Sequence, residues 1–192
     1  MKIGLFFGTF NPIHMGHMII GNYMAEYSDL DEVWFVVTPH NPLKKKNSLL
    51  ADLHRYRMVE EATEDFSKLK PSNIEFGLPQ PNYTVNTLAY LQEKYPEEEF
   101  CLIMGEDNLQ SLHKWKNFEV LLENYSLYVY PRMFSEKQAN FVNYKGKYKL
   151  IDAPIVEISS TFIRKAIKQK KDIRPMLPER VWKYIDQMNF YK

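Results

Sequence analysis

The sequence predicts an α/β protein with a doubly wound, mainly parallel sheet flanked by helices. Three observations carry that prediction. Unbroken apolar runs recur along the chain: "KIGLFF" at 2–7, "EVWFVV" at 32–37, "EFCLIMG" at 99–105 and "SLYVYP" at 126–131. Runs of this kind, unlike alternating ones, mark strands covered on both faces, as in parallel sheets. Segments with helical apolar spacing separate them, and such alternation implies right-handed crossovers. Finally, a turn-rich loop follows the first run directly, at the end of a strand where open α/β sheets bind their ligands.

Taken in order, Gly8 ends the first run. "GHMIIGNYMAEYSD" then sets Ile19, Ile20, Tyr23, Met24 and Tyr27 at helical spacing, predicting a helix with one apolar face. After the second run come a loop "TPHNPLKKKNSLL", a helix over "ADLHRYRMVEEATEDF", a strand "NIEFG" and a helix over "TVNTLAYLQEKY". The third apolar run leads into a polar helical segment and then the fourth run. Residues 132–148 are the least patterned and predict a surface helix and turn before a last short strand. "SSTFIRKAIKQKK" and "PERVWKYIDQMNFY" predict two closing helices, the second with Pro178 in its first turn. The expectation is a single domain over 1–192, with the helical segment from about 159 packed on it.

With 192 residues and 45% hydrophobic content, the chain can bury one sizeable core. Lys and Arg total 25 against 24 Asp and Glu, so nothing attracts polyanions in general. No nucleic-acid partner is expected, and anion binding must be local. The lone cysteine, Cys101 in "FCLIM", cannot pair internally and fits a packing role in a reducing compartment. No leader-like opening and no apolar run near ~18 residues is present, so a soluble cytoplasmic protein without a membrane partner is expected. A homo-oligomer is compatible with this composition.

The stretch "GLFFGTFNPIHMGH" at 4–17 suits phosphate binding. Unpartnered N–H groups at a helix start carry partial positive charge, and Gly8 and Gly16 permit close approach. His14 and His17, three apart, can face one pocket if a helix starts near 15. Their ring donors could stabilise charge on transferring phosphate oxygens, Thr9 adds a hydroxyl, and Pro12 stiffens the turn. As two isolated histidines the pair also reads as a surface or core feature. Zinc would need a third ligand that does not lie nearby, and HExxH, GxGxxG and GxxxxGK[ST] are all absent.

"GTFNPIHMGH" resembles the GTFDPIHxGH signature of the nucleotidyltransferase superfamily that carries the (H/T)xGH motif, in particular the bacterial nicotinate mononucleotide adenylyltransferase family. Asn11 stands where that family often has Asp. "ISSTFIR" at 158–164 resembles the family's ISSTxIR motif. There Ser159 or Ser160 can cap a helix, while Ser160, Thr161 and Arg164 offer donors to phosphate. Alone, it reads more readily as an ordinary capped helix with a solvated Arg. "PNYTVNTL" resembles SYTxDTL, with Asn86 for the usual Asp and Thr84 opening a helix. "MGEDNLQSLHKW" resembles GxDxxxxLxxW, and "PLKKK" falls where the family has a PPHK-like loop, with Lys45 the best match among Lys44, Lys45 and Lys46.

The resemblance covers residues 3 to about 165 and implies a Rossmann-like nucleotidyltransferase fold. It implies transfer of the adenylyl group of ATP to nicotinate mononucleotide, giving deamido-NAD and pyrophosphate. His14 and His17 would be catalytic, with Gly8, Thr9, Phe10, Gly105, Asp107, Ser160, Thr161 and Arg164 around ATP. Gly8, Thr9, Lys45, Thr84 and Trp115 would hold the mononucleotide, Trp115 stacking on the pyridine ring. Mg2+ would come with ATP, with no metal ligands expected from protein side chains. Preference for the acid over the amide is expected from helix N–H groups near Thr84 and backbone N–H groups near Trp115, with no carboxylate in the matched segment needed to accept an amide. The alternatives are a phosphopantetheine adenylyltransferase-like enzyme and a non-catalytic nucleotide-sensing module. Two motifs so far apart in sequence can serve one triphosphate only if the fold joins them.

Overall fold

A computed structural model describes residues 1–39, 49–133, 144 and 148–192. Its strands are β1 (Lys2–Gly8), β2 (Glu32–Val37), β3 (Leu69–Ser72), β4 (Glu99–Gly105), β5 (Ser126–Tyr130) and β6 (Tyr148–Leu150). They form one sheet in the order β3-β2-β1-β4-β5-β6, with every neighbouring pair parallel. The helices are α1 (Met15–Tyr27), α2 (Asp52–Thr63), α3 (Thr84–Lys94), α4 (Glu106–Ser111), α5 (Phe118–Asn124), α6 (Ser160–Lys168) and α7 (Glu179–Gln187). This is the doubly wound arrangement the apolar runs predict, and its strand order is that of Rossmann-like folds.

Alternate residues of each strand feed two cores, one on each face. Cys101 and Ile103 of β4 join Met24 of α1, Met58 of α2, Ile163 of α6 and Val181 of α7 on one face. Phe100, Leu102 and Met104 of the same strand join Leu88 of α3, Leu109 of α4 and Leu121 of α5 on the other. Burial pushes the Cys101 thiol up to about 12, so it stays a neutral packing group. The closing helices thus share the first core, with α7 lying against α2.

Three sequence expectations are corrected. "NIEFG" is not a strand: β3 ends at Ser72, and Ile74–Gly77 is a 3-10 turn. β3 lies at the sheet edge, where Pro71 costs little for its missing N–H. Glu75 anchors the turn, since its Oε1 accepts from Thr87 Oγ1 at 2.6 Å and its carbonyl from Asn82 Nδ2 at 3.2 Å. The buried face of α1 runs through Met18, Ile20, Gly21, Met24 and Ala25, leaving Tyr27 exposed. A Cβ on Gly21 would sit 2.4 Å from Phe35 Cζ, so the glycine lets the helix settle onto the sheet and turns that side inward. Pro178 immediately precedes α7 instead of lying in its first turn. The helix expected within 132–148 falls mostly outside the described residues, whereas the last short strand is β6.

Candidate active site

Between β1 and β4 the order of strands reverses, which opens a crevice at their carboxyl ends. The loop from Gly8 to His14 fills one lip of it. Phe10 has a left-handed φ of 42°, a conformation that costs a non-glycine residue about 1–3 kcal/mol. Its ring offsets that cost by burial, packing edge-on to Phe6, Phe35 and His17 with centroids 6.2, 5.7 and 5.1 Å away. A side chain on Gly8 would strike this ring, Cβ to Cζ at 2.7 Å. Phe10 therefore supports His17 from behind, and its ring is not offered to a nucleotide.

Arg55 of α2 holds the loop from within. Its side chain is fully buried and donates to the carbonyls of Thr9 at 2.6 Å, Thr38 at 2.9 Å and Leu50 at 3.0 Å, and to Asp52 Oδ1 at 2.6 Å. A planar guanidinium with five donors suits such a set of acceptors. Sequence reasoning missed Arg55, yet a signal existed: it sits at helical spacing with Met58, Val59 and Ala62, all buried.

His14 caps α1 and His17 lies three residues on. Their rings stack with centroids 3.7 Å apart and planes 23° from parallel. The His14 backbone N–H donates to His17 Nδ1 at 3.3 Å, which assigns the ring proton of His17 to Nε2. Burial, with the positive charge of Arg132 second, lowers the pKa of His14 to about 4. A neutral His14 can stack on its neighbour without charge repulsion. Among the described residues, neither His14 Nδ1 nor Arg132 Nε has a hydrogen-bond partner, although both are buried. Bare buried polar atoms cost about 1–3 kcal/mol each, which a ligand supplying oxygen atoms would recover.

The start of α6 meets this loop. Ser159 is the cap, accepting from the Phe162 N–H at 3.2 Å. Ser160 Oγ donates to Pro12 O at 2.9 Å, and Arg164 Nη1 donates to Asn11 O at 2.8 Å. The two motifs are thereby joined as the sequence demanded. Ser160 spends its proton on the loop, while Thr161 is exposed and receives Arg164 Nη2 at 3.4 Å. On the opposite lip Gly105 ends β4, and Asp107 in α4 lies 3.9 Å from Arg132 Nε. Arg132 follows β5, its N–H bonded to Glu106 Oε2 at 3.0 Å and its Nη2 to Tyr130 OH at 3.2 Å. It was also missed by sequence reasoning, although an arginine just past a strand's carboxyl end is the available signal.

A cavity of about 420 Å³ extends from Gly8 and Thr9 beneath Thr84 and Trp115. Thr84 is the first residue of α3, so N–H groups of a helix start face this cavity's rim. The Trp115 ring lines the cavity, and its Nε1 has no partner among the described residues. Its backbone N–H is taken by Leu112 O at 2.8 Å and cannot serve an anion there. Lys114 and Lys116 also line the cavity, Lys116 Nζ lying 4.4 Å from the Tyr83 ring centre. Glu75 reaches the same wall from outside the matched segments, so a carboxyl group does stand near this pocket. Burial raises its pKa, which disfavours the anion. Lys44, Lys45 and Lys46 lie outside the described residues.

A histidine-bearing loop at the β1–α1 junction, a second helix start bonded to it and an adjoining cavity lined by Trp115 define a nucleotide-binding α/β enzyme. A family-wide profile described as cytidylyltransferase-like matches residues 5–166, and the chain belongs to that family. A relative in Christiangramia forsetii, 67% identical over all of this chain and 98% of its own, is named probable nicotinate-nucleotide adenylyltransferase. One from Flavobacterium psychrophilum with the same name is 68% identical, with full coverage of both chains. Among solved structures, the nicotinic acid mononucleotide adenylyltransferase of Plasmodium falciparum, complexed with NaAD, superposes with a TM-score of 0.82 at 22% identity. That match covers 99% of this chain and 97% of the other, and shows the shared fold.

Proposed function

We propose that the chain is a nicotinate-nucleotide adenylyltransferase, acting as one nucleotidyltransferase unit that joins ATP and nicotinate mononucleotide into deamido-NAD with release of pyrophosphate. The observation that carries this reading is the junction of the two motifs, Ser160 on Pro12 O and Arg164 on Asn11 O, beside the stacked histidines. The relatives' names agree with it. A 5′-phosphate oxygen of the mononucleotide attacks the α-phosphorus of ATP in line with the departing pyrophosphate. No protein nucleophile is needed, so the residues position two anions and stabilise the added charge. His17 donates from Nε2 to the transferring phosphoryl group, with His14 beside it. The N–H groups opening α6, with Thr161 and Arg164, hold the β and γ phosphates.

Mg2+ would enter with the ATP substrate, setting positive charge against its phosphate oxygens. The pyridine ring lies against Trp115, and its carboxylate faces the start of α3 with Lys114 and Lys116 nearby. Cation charge on one wall favours the acid, and burial, by raising the pKa of Glu75 on another, weakens that group's opposition to it. No described helix is long and apolar enough to cross a membrane. The buried free thiol of Cys101 suits the reducing cytoplasm.

Pyrophosphate release from ATP, measured with nicotinate mononucleotide, its amide and phosphopantetheine in parallel, tests the reading. Release with the acid, a lower kcat/KM with the amide and none with phosphopantetheine is expected. Equal kcat/KM for acid and amide would contradict the selectivity. Tight ATP binding without pyrophosphate release from any acceptor would make the chain a nucleotide sensor.

A further inference from the structure

Arg132 stands where the β4–β5 side of the crevice meets the start of α1. On one side, a Cβ added to Gly105 would sit 3.2 Å from its Cγ. On the other, its Nη1 donates to Val156 O at 3.5 Å, and Val156 Cγ1 would lie 3.4 Å from a Cβ added to Gly16 in the first turn of α1. That same Cβ would lie 3.1 Å from His14 Nδ1. Arg132 thus reaches the helix start on which the histidines are mounted, close enough for its charge to act on His14.

The donors of Arg132 are only partly used. Nη2 binds Tyr130 OH at 3.2 Å, Nη1 makes the long bond to Val156, and Cζ lies 5.2 Å from the centre of the Tyr130 ring. These contacts fix the plane of the fork. Of the five N–H groups a guanidinium carries, Nε and one on each terminal nitrogen have no hydrogen-bond acceptor among the described residues. Asp107 Oδ1, 3.9 Å from Nε, is beyond hydrogen-bond range. The side chain is 36% exposed, so a solute entering the crevice can meet it. Beside it, His14 is 4% exposed and its Nδ1 is bare. A fixed cation with spare donors next to a bare imidazole nitrogen and a helix start suits an anion with several oxygens.

We propose that Arg132 binds ATP, its guanidinium donating to phosphate oxygens at the start of α1. The inference rests on the reading of this crevice as the ATP site and adds a cation to it. Arg164 stands on the loop lip, bonded to Asn11 O, so the triphosphate meets an arginine on each side. The histidines alone leave that charge unanswered. With its pKa lowered to about 4, His14 offers a hydrogen bond at neutral pH but no positive charge. Asp107 can only accept and suits the sugar hydroxyls of the same nucleotide, whereas phosphates offer acceptors and need the donors of Arg132.

Arg132→Met keeps most of the apolar stem and removes the charge and the donors. Calorimetric titration of the whole chain with ATP and Mg2+ reads the dissociation constant. The variant should bind ATP about 10- to 100-fold more weakly, the worth of hydrogen bonds made by a charged group. Its affinity should also fall less steeply with added salt than that of the wild type, because one ionic contact is gone. The KM for nicotinate mononucleotide should stay within about twofold and Tm within about 4 °C of wild type. Arg132→Gln, neutral yet polar, should repeat this result, and Arg132→Lys should recover part of the affinity by restoring charge without the fork. ATP affinity within about twofold of wild type in Arg132→Met and Arg132→Gln, or an equal loss toward both substrates, would overturn the proposal alone. Weaker ATP binding with an unchanged salt dependence would also overturn it, since the side chain would then serve the adenine instead of the phosphates. Wild-type protein that binds no ATP would overturn the nucleotide reading and this proposal with it.

Discussion

Replacing Arg55 by methionine deletes a fully buried guanidinium while keeping most of the side chain's apolar stem. The three backbone carbonyls bonded within 3.0 Å, those of Thr9, Thr38 and Leu50, lose a charged donor, and Asp52 loses its ion-pair partner. Asp52 is 40% exposed and can return to water, so the cost falls on the carbonyls. At about 1 kcal/mol or more for each bare buried acceptor, the loss reaches about 3 kcal/mol. Breaking a buried ionic constellation from one side sets an upper figure of about 5 kcal/mol. For a chain of this size each kcal/mol shifts Tm by about 2–4 °C, so a fall of about 6–20 °C is expected. Thermal unfolding followed by circular dichroism near neutral pH measures it. Arg55→Lys should recover only part, because an ammonium cannot span acceptors arranged around a planar fork. A Tm within about 3 °C of wild type for Arg55→Met would refute the idea that this side chain holds the loops together.

His17→Ala should lower kcat about 100-fold or more while leaving the thermal transition nearly unchanged, and a near-normal kcat would remove His17 from the chemistry. His14 gives a stability signal with a defined sign. Its pKa falls from the ordinary histidine value of 6.5 to about 4 in the fold, so between those values the unfolded chain takes up a proton that the folded chain refuses. Stability from this source is fully present above pH 6.5 and declines as pH falls toward 4. Between pH 7 and pH 5 the loss amounts to about 2 kcal/mol. Urea unfolding at the two pH values should show that loss shrinking by a comparable amount in His14→Gln. An identical pH dependence in both proteins would mean that His14 is protonated as readily in the fold as outside it.

The overall plan was legible because its signals are local. Unbroken apolar runs announced β1, β2, β4 and β5, and each motif that opens a helix, the one at α1 and the one at α6, is contiguous in the chain. "NIEFG" misled because Ile74 and Phe76 have the composition of a strand, while the true edge strand "LKPS" looks like a turn. Its pairing comes from backbone bonds to β2, which side-chain hydrophobicity does not report. The buried side of α1 escaped the sequence pattern for a related reason. Apolar spacing allows several helix rotations, and the absent side chain of Gly21 selected one by admitting Phe35.

By itself the sequence determined the strand–helix alternation, the turn-rich loop that follows β1 and the identity of its histidines. Each depends on residue type and spacing over a few turns of chain. Only the tertiary structure decided that Arg55 grips the loop from behind, that Arg132 stands beside His14, that Glu75 borders the cavity lined by Trp115 and that Tyr191 ties residue 11 to the far end of the chain. Those contacts link residues as much as 180 positions apart. The acceptors of Arg55 are mostly backbone oxygens, which every residue carries alike, and the other groups meet only once the sheet has brought them together, so no local pattern of side chains could announce them.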